Sequence, residues 1–193
     1  MSCAAIILAA GESRRMGRPK ALLPFRGGTF VSVLAETLGA CCAPVYAVFG
    51  FDAPNLMAVA PSTVVAVENP EYRHGMLTSL QAGLRAMPEV PGRILFTLVD
   101  HPAVERDTVR LLLRSSGDIV IPRLAGKRGH PVLVSRAVAR ELMEEPPKSR
   151  LNAVLDRHAA AIQYIDVTDP GVRDDIDDQH MYEELLTREG ARV

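Results

Sequence analysis

Residues 4–9 read AAIILA, an apolar run with Ile6, Ile7 and Leu8 at its centre and Gly11 just beyond it. A strand with one wet face alternates polar and apolar side chains. A run without alternation is buried on both faces, as in a parallel sheet covered by helices. The run ILFTLV at 94–99 has the same character. Around these two, strand and helix periods alternate. Strands are predicted over 4–9, 45–49, 63–67, 93–99 and 118–122. Helical spacing falls over 29–42 (Val31, Leu34, Ala35, Leu38), 52–60 with Asp52 as its cap, 76–87 (Met76, Leu80, Leu84, Met87) and 104–114. A repeat of strand, connection and helix predicts an α/β fold with a doubly wound, mostly parallel sheet and right-handed crossovers. After a turn over 123–129 the pattern is less regular. Short strands at 131–134 and 161–167 and helices at 138–145, 151–158 and 179–188 predict a small antiparallel portion in the C-terminal half. The chain after 189 reads as a frayed tail.

The 193 residues suit one domain with a full core, and no repeat, low-complexity tract or long linker divides them. With 22 Lys and Arg against 23 Asp and Glu, no global field recruits nucleic acid or a membrane surface. No apolar run approaches the ~18 residues of a membrane-crossing helix. The first residues enter a strand directly, without a basic leader, so no signal peptide is expected. Cys3, Cys41 and Cys42 are odd in number and lack CxxC spacing. They read as core-filling thiols in a reducing, cytoplasmic setting rather than as a disulfide framework or zinc site.

Against that neutral background, positive charge is concentrated in one place. Arg14, Arg15, Arg18, Lys20 and Arg26 follow the first strand, among Gly11 and Gly17. Glycines let backbone N–H groups approach an anion, and Arg15 and Lys20 add charge-assisted hydrogen bonds to phosphate oxygens. The carboxyl end of a strand is where α/β sheets bind such groups. Read without further context, the segment is equally a basic surface loop. It is not a Walker A loop, since five residues separate Gly11 from Gly17 and Ala21 follows Lys20; GxGxxG is also absent. The pattern LAAGxSxRMGxxKxLLP instead resembles the signature of the MobA/MocA-like nucleotidyltransferases, which attach a nucleotide to molybdopterin. Leu8, Ala9, Ala10, Gly11, Ser13, Arg15, Met16, Gly17, Lys20, Leu22, Leu23 and Pro24 match it in order. The resemblance implies a Rossmann-like nucleotidyltransferase domain over 1–193. Its nucleotide-binding half spans about 1–120 and its acceptor-binding half about 121–189. It implies nucleotide contacts from Leu8, Ala9, Ala10, Gly11, Ser13, Arg15 and Lys20.

Four further constellations carry chemistry. Asp100, in LVDHP, ends a buried strand at the edge from which the basic loop emerges. A lone Asp there serves equally as a turn former; Mg²⁺ favours one or two carboxylates beside phosphate oxygens. In the family resembled it is the metal-binding Asp of a DxP element, and His101 falls where relatives vary. Asp175 and Asp177 would share one face of an extended segment, within an acidic run that also reads as a solvated loop with Asp178 capping the last helix. Against the family's DIDTPEDY this chain has DIDDQHMY, which implies Asp177 as second metal ligand with Asp175 beside it. Asn69 and the segment HGMLTSLQAG resemble an element lining the base and ribose pocket, which implies roles for Asn69, Gly75 and Ser79. On its own that segment is an ordinary helix start. Gly129-His130-Pro131 matches a GHP element on the acceptor side of the cytidylyl-transferring branch, though a lone His is most often structural. Arg150 alone agrees with the family's GDxGAR.

The resemblance thus implies Mg²⁺ (or Mn²⁺) on Asp100 and Asp177, and Arg15, Lys20 and Asp100 as catalytic residues. His130 and Arg150 would face the acceptor. Ala10 and the GHP element favour CTP over GTP. The activity expected is transfer of CMP from CTP to the phosphate of molybdopterin. Three alternatives stand beside it: the guanylyltransferase of the same fold, a sugar- or alditol-phosphate nucleotidyltransferase, and a silent binding partner that delivers cofactor to a molybdenum hydroxylase.

Overall fold

A computed structural model describes residues 2–190. The strands are β1 (Cys3–Ala9), β2 (Pro24–Phe25), β3 (Gly28–Thr29), β4 (Val45–Phe49), β5 (Val65–Glu68), β6 (Arg93–Leu98), β7 (Ile119–Leu124), β8 (Lys127–Arg128), β9 (Val132–Ser135) and β10 (Ile162–Asp166). The helices are α1 (Phe30–Gly39), α2 (Ala53–Ala58), α3 (Met76–Arg85), α4 (Arg106–Leu113), α5 (Arg136–Glu144), α6 (Leu151–Arg157) and α7 (Gln179–Gly190). Among these residues no helix is long and apolar enough to cross a membrane.

The main sheet runs β10-β7-β9-β6-β1-β4-β5, with β8 hairpinned onto β7. β1 lies parallel to both β4 and β6, β4 to β5, and β7 to β10. The antiparallel portion is β9, which lies antiparallel between β6 and β7, and β8; the strand expected at 161–167, β10, is parallel instead. All seven residues of β1 are buried, as its unbroken apolar run requires. Alternate residues feed two cores. Ala5, Ile7 and Ala9 pack under α1, with Leu34 and Leu38, while Ala4, Ile6 and Leu8 face α3, with Leu80 and Leu84. Gly83 is what lets α3 sit so close: a Cβ there would come within 2.9 Å of Ile6.

The chain leaves β1 toward β4 and β5 and then crosses back to β6 on the other side. β1 and β6 therefore flank a topological switch point, where an open sheet offers a crevice at the strands' carboxyl ends. Three local expectations change. Asp52 takes a left-handed conformation and makes no side-chain cap on α2; it accepts instead from Asn55. Met76, expected inside, is exposed at the helix start. α7 runs through Gly190, past the predicted fraying point, and residues 191–193 lie outside those described. α1 starts one residue after Thr29, which caps it in a reciprocal pair with Ser32.

Candidate active site

The segment 10–20 leaves β1 with Ser13 and Gly17 in left-handed backbone conformations, and Ser13 Oγ accepts from the Lys20 backbone N–H at 3.1 Å. That bond folds the loop over the sheet edge and turns Lys20 inward, where its side chain is 11% exposed. Asp100 follows β6 at the same edge. Asp177 arrives on a strap, 169–178, laid across the end of β6. Asp169 fixes one end of the strap by accepting from Glu105 N, Thr108 Oγ1 and Gly171 N, each at 2.8 Å. Ile176 N donates to Asp100 O at 3.1 Å, and Arg188 of α7 pairs with Asp174. Asp178 caps α7 through Met181 N.

Lys20 Nζ donates to Asp100 Oδ2 at 3.1 Å and to Asp177 Oδ1 at 2.6 Å, and Arg15 pairs with the other Asp177 oxygen. One carboxylate oxygen from each of Asp100, Asp175 and Asp177 lies within 4.8 Å of the others. Burial pulls the Lys20 ammonium toward its neutral form, but the charge of Asp100 and the bonds to both carboxylates outweigh it, and its pKa is raised. Desolvation pushes Asp100 up, yet the hydrogen bond and charge of His101, then Lys20, leave it below the usual carboxylate range. Asp177 is lowered in the same way, Lys20 and Arg15 outweighing desolvation. At Asp175 the pull of His101 and Lys20 is outweighed. Desolvation and then the charges of Asp100 and Asp177 raise its pKa. Three hard oxygen donors converging at this spacing, one of them strained by like charge, fit a hard divalent cation.

A cleft of about 430 Å³ opens beside this cluster, between the basic loop and α3. Leu8, Ala9, Ala10, Gly11, Ser13, Arg15, Lys20, Gly75, Ser79, Asp100 and Asp177 all line it. Asn69 does not. It is buried behind the wall, where its amide donates to Thr78 Oγ1 and Ser79 Oγ and its carbonyl accepts from Glu71 N. Its role is to hold the start of α3. Thr78 also faces inward, donating to Glu71 and Gly75 carbonyls.

A second cavity, about 240 Å³, lies on the far side of the acids. Phe96, Ile121, Leu151 and Leu155 give it an apolar floor, and Arg128, Asn152, Arg173, His101, His130 and Asp175 its polar rim. His130 is in this wall, its ring 4.7 Å from that of His101, and its Nδ1 is buried without a partner. Burial, then the charge of His101, pushes its pKa down to about 3, so it stands neutral. Arg150 is exposed just before α6 and is not among the lining residues. His101, which falls where relatives of the family resembled vary, has no role assigned from the sequence. Its Nδ1 lies 2.9 Å from Asp100 Oδ1, and since a carboxylate only accepts, that nitrogen carries the proton.

The family model for the MobA-like NTP transferase domain matches residues 5–162. The chain belongs to this family. As a MobA-like chain it is a nucleotidyltransferase. It is 31% identical over 170 residues to the molybdenum cofactor cytidylyltransferase of Escherichia coli K12, covering 84% of this chain and 86% of that one. A probable molybdenum cofactor guanylyltransferase of Mycobacterium bovis is 38% identical over 126 residues, 62% of this chain and 61% of its own. A nicotine blue oxidoreductase of Paenarthrobacter nicotinovorans is 32% identical over 200 residues, 94% and 95% of the two chains. In fold the MobA-like chain matches a nucleotidyl transferase from Methanothermobacter, with TM-score 0.81, 22% identity and 97% of each chain covered. It also matches a Mycobacterium tuberculosis protein solved with manganese, with TM-score 0.74, 24% identity and 97% and 99% covered.

Proposed function

We propose that this enzyme transfers CMP from CTP to the phosphate of molybdopterin and releases pyrophosphate. The observation that carries the proposal is the meeting of Arg15 and Lys20 with Asp100 and Asp177 across one cleft, with Asp175 facing a second cavity behind the same acids. The larger cleft, built by residues of the first 120 positions and closed by Asp177, takes the nucleotide. The smaller takes the acceptor. Its apolar floor suits a flat heterocycle, with the partnerless His130 Nδ1 as a polar contact and Arg128 and Arg173 drawing the phosphate. Arg150, outside this wall, serves the acceptor at most from the rim.

In the reaction an acceptor phosphate oxygen bonds to the α-phosphorus of CTP as the bond to the bridging oxygen of pyrophosphate breaks. The obstacle is repulsion between anions and charge growing on the leaving group. Such transfers need positioning and electrostatic stabilisation more than covalent help. Gly11, Ser13 and the backbone after β1 seat the phosphates, while Arg15 and Lys20 stabilise the triphosphate and leaving pyrophosphate. Asp100 and Asp177, with Asp175, would hold Mg²⁺ or Mn²⁺, which would neutralise phosphate charge. The nucleophile is already ionised at neutral pH, so no general base is needed, and the tying of His101 to Asp100 is consistent with that. The 31% identity to a cytidylyltransferase over most of both chains and the residues Ala10 and His130 support CTP. The mycobacterial relative supports GTP as the second reading. Three free thiols suit a reducing cytoplasm, with a molybdenum hydroxylase as the eventual client. A pyrophosphate-release assay with Mg²⁺, molybdopterin and CTP or GTP is the test. Turnover with CTP several-fold above GTP supports the assignment; turnover with neither refutes it.

A further inference from the structure

Lys20 occupies the place a metal would need. Its Nζ bonds one oxygen of Asp100 and one of Asp177, two of the three carboxylates that converge as ligands. We propose that Lys20 is a built-in counter-cation of the acidic site. It must swing out before a divalent ion can settle, and nucleotide triphosphate provides the partner that receives it. The proposal rests on the nucleotidyl-transfer reading and adds an order of loading to it.

The geometry separates what can move from what cannot. The Lys20 backbone is pinned by Ser13 Oγ at 3.1 Å, so only the side chain is free to turn. That side chain lines the same cleft as Gly11, Ser13 and Arg15, where phosphates would lie. Turning out of the acids without an anion in the cleft leaves a largely buried ammonium unpaired, which is costly. Metal alone therefore binds weakly. With a triphosphate in the cleft the ammonium gains new acceptors, the carboxylates are released, and metal binds well. Linkage requires the converse by the same factor: metal strengthens nucleotide binding. Arg15 also pairs with Asp177, but its side chain is 67% exposed and water replaces the lost contact. The obstacle to metal thus lies with Lys20.

The first test uses the full chain without nucleotide and follows free Mn²⁺ by its paramagnetic resonance signal. Lys20→Met should bind Mn²⁺ on the order of tenfold more tightly than wild type, and Lys20→Arg, which keeps the cation, should not. The second test uses wild-type protein only, and decides the matter if Lys20→Met does not fold. The chain has three lysines, Lys20, Lys127 and Lys148. Acetylation of Lys20, read by mass spectrometry against exposed Lys127, should speed up several-fold when Mn²⁺ is raised to saturation. It should slow again when CTP is added with Mn²⁺. Equal Mn²⁺ affinities, or Lys20 acetylation indifferent to Mn²⁺, overturn the counter-cation role while leaving the nucleotidyl-transfer reading intact. Absence of Mn²⁺ binding to every form, even with CTP, overturns both.

Discussion

At Asp100 and Asp177 two carboxylates are held below the usual carboxylate range in a partly buried corner because cations face them. Asp100→Asn or Asp177→Asn keeps the shape and removes the charge. Each should lower turnover by about 10²–10³-fold in the pyrophosphate-release assay, with no comparable loss of folded protein by circular dichroism. His130 makes a different prediction. Its pKa falls from 6.5 to about 3 on folding, so between those values the unfolded chain holds a proton that the folded chain does not. Stability from this group is complete above the unfolded value and is lost as pH falls. Between pH 7.5 and pH 5, wild type should lose about 1–2 kcal/mol more than His130→Gln in urea unfolding. What could be read from sequence at this scale divides by mechanism. Arg15, Lys20 and Asp100 were singled out by the spacing they share with the family resembled, since charge at the end of a strand by itself also suits a surface loop or a turn. Asn69 looked like a ligand contact from its neighbours, yet its amide is consumed inside the wall. His101 gave no signal, since only the fold brings its ring against Asp100 on one side and His130 on the other.

Among elements, the strap over 169–178 decides where two of the three acids go. It has no regular secondary structure beyond one short turn, and its hold comes from Asp169, from Gly171 and from Arg188. A Cβ on Gly171 would come within 2.4 Å of the Ala103 carbonyl, and backbone cannot yield as a side-chain tip can. Gly171→Val should therefore cost about 1–3 kcal/mol in stability and weaken Mn²⁺ binding measured with CTP present. Asp169→Ala should cost a similar amount by stranding the Glu105 N–H and the Thr108 hydroxyl, and loosen the metal site in the same assay. The alternation of Asp175 and Asp177 was legible as a shared face. The anchoring was not, because its partners lie some sixty residues back in sequence, at Ala103, Glu105 and Thr108. β1 and β6 were legible for the opposite reason: being covered on both faces, they leave an unbroken apolar signature that no distant partner alters.

On the scale of the whole molecule, one cleft is lined by parts made far apart: the loop after β1, the turn after β6, the start of α3 and the strap. A nucleotide that bridges them binds the folded state alone. CTP with Mg²⁺ at a hundredfold its Kd should raise the unfolding free energy by about 2.7 kcal/mol, visible as a thermal shift that GTP matches only if it binds as well. The mostly parallel sheet followed from the repeating strand–helix pattern. The place of β9 did not, since an antiparallel strand slotted between β6 and β7 is a choice of topology, not of local period. α7 then returns to the first third of the chain, with Tyr182 donating to the Pro24 carbonyl at 2.6 Å and its ring against Phe30. During synthesis the basic loop leaves the ribosome before its acidic counterpart at residue 177, which follows more than 150 positions later. On the nucleotidyl-transfer reading, a nascent chain therefore lacks Asp175 and Asp177, two of the three converging acids, until translation has passed the strap.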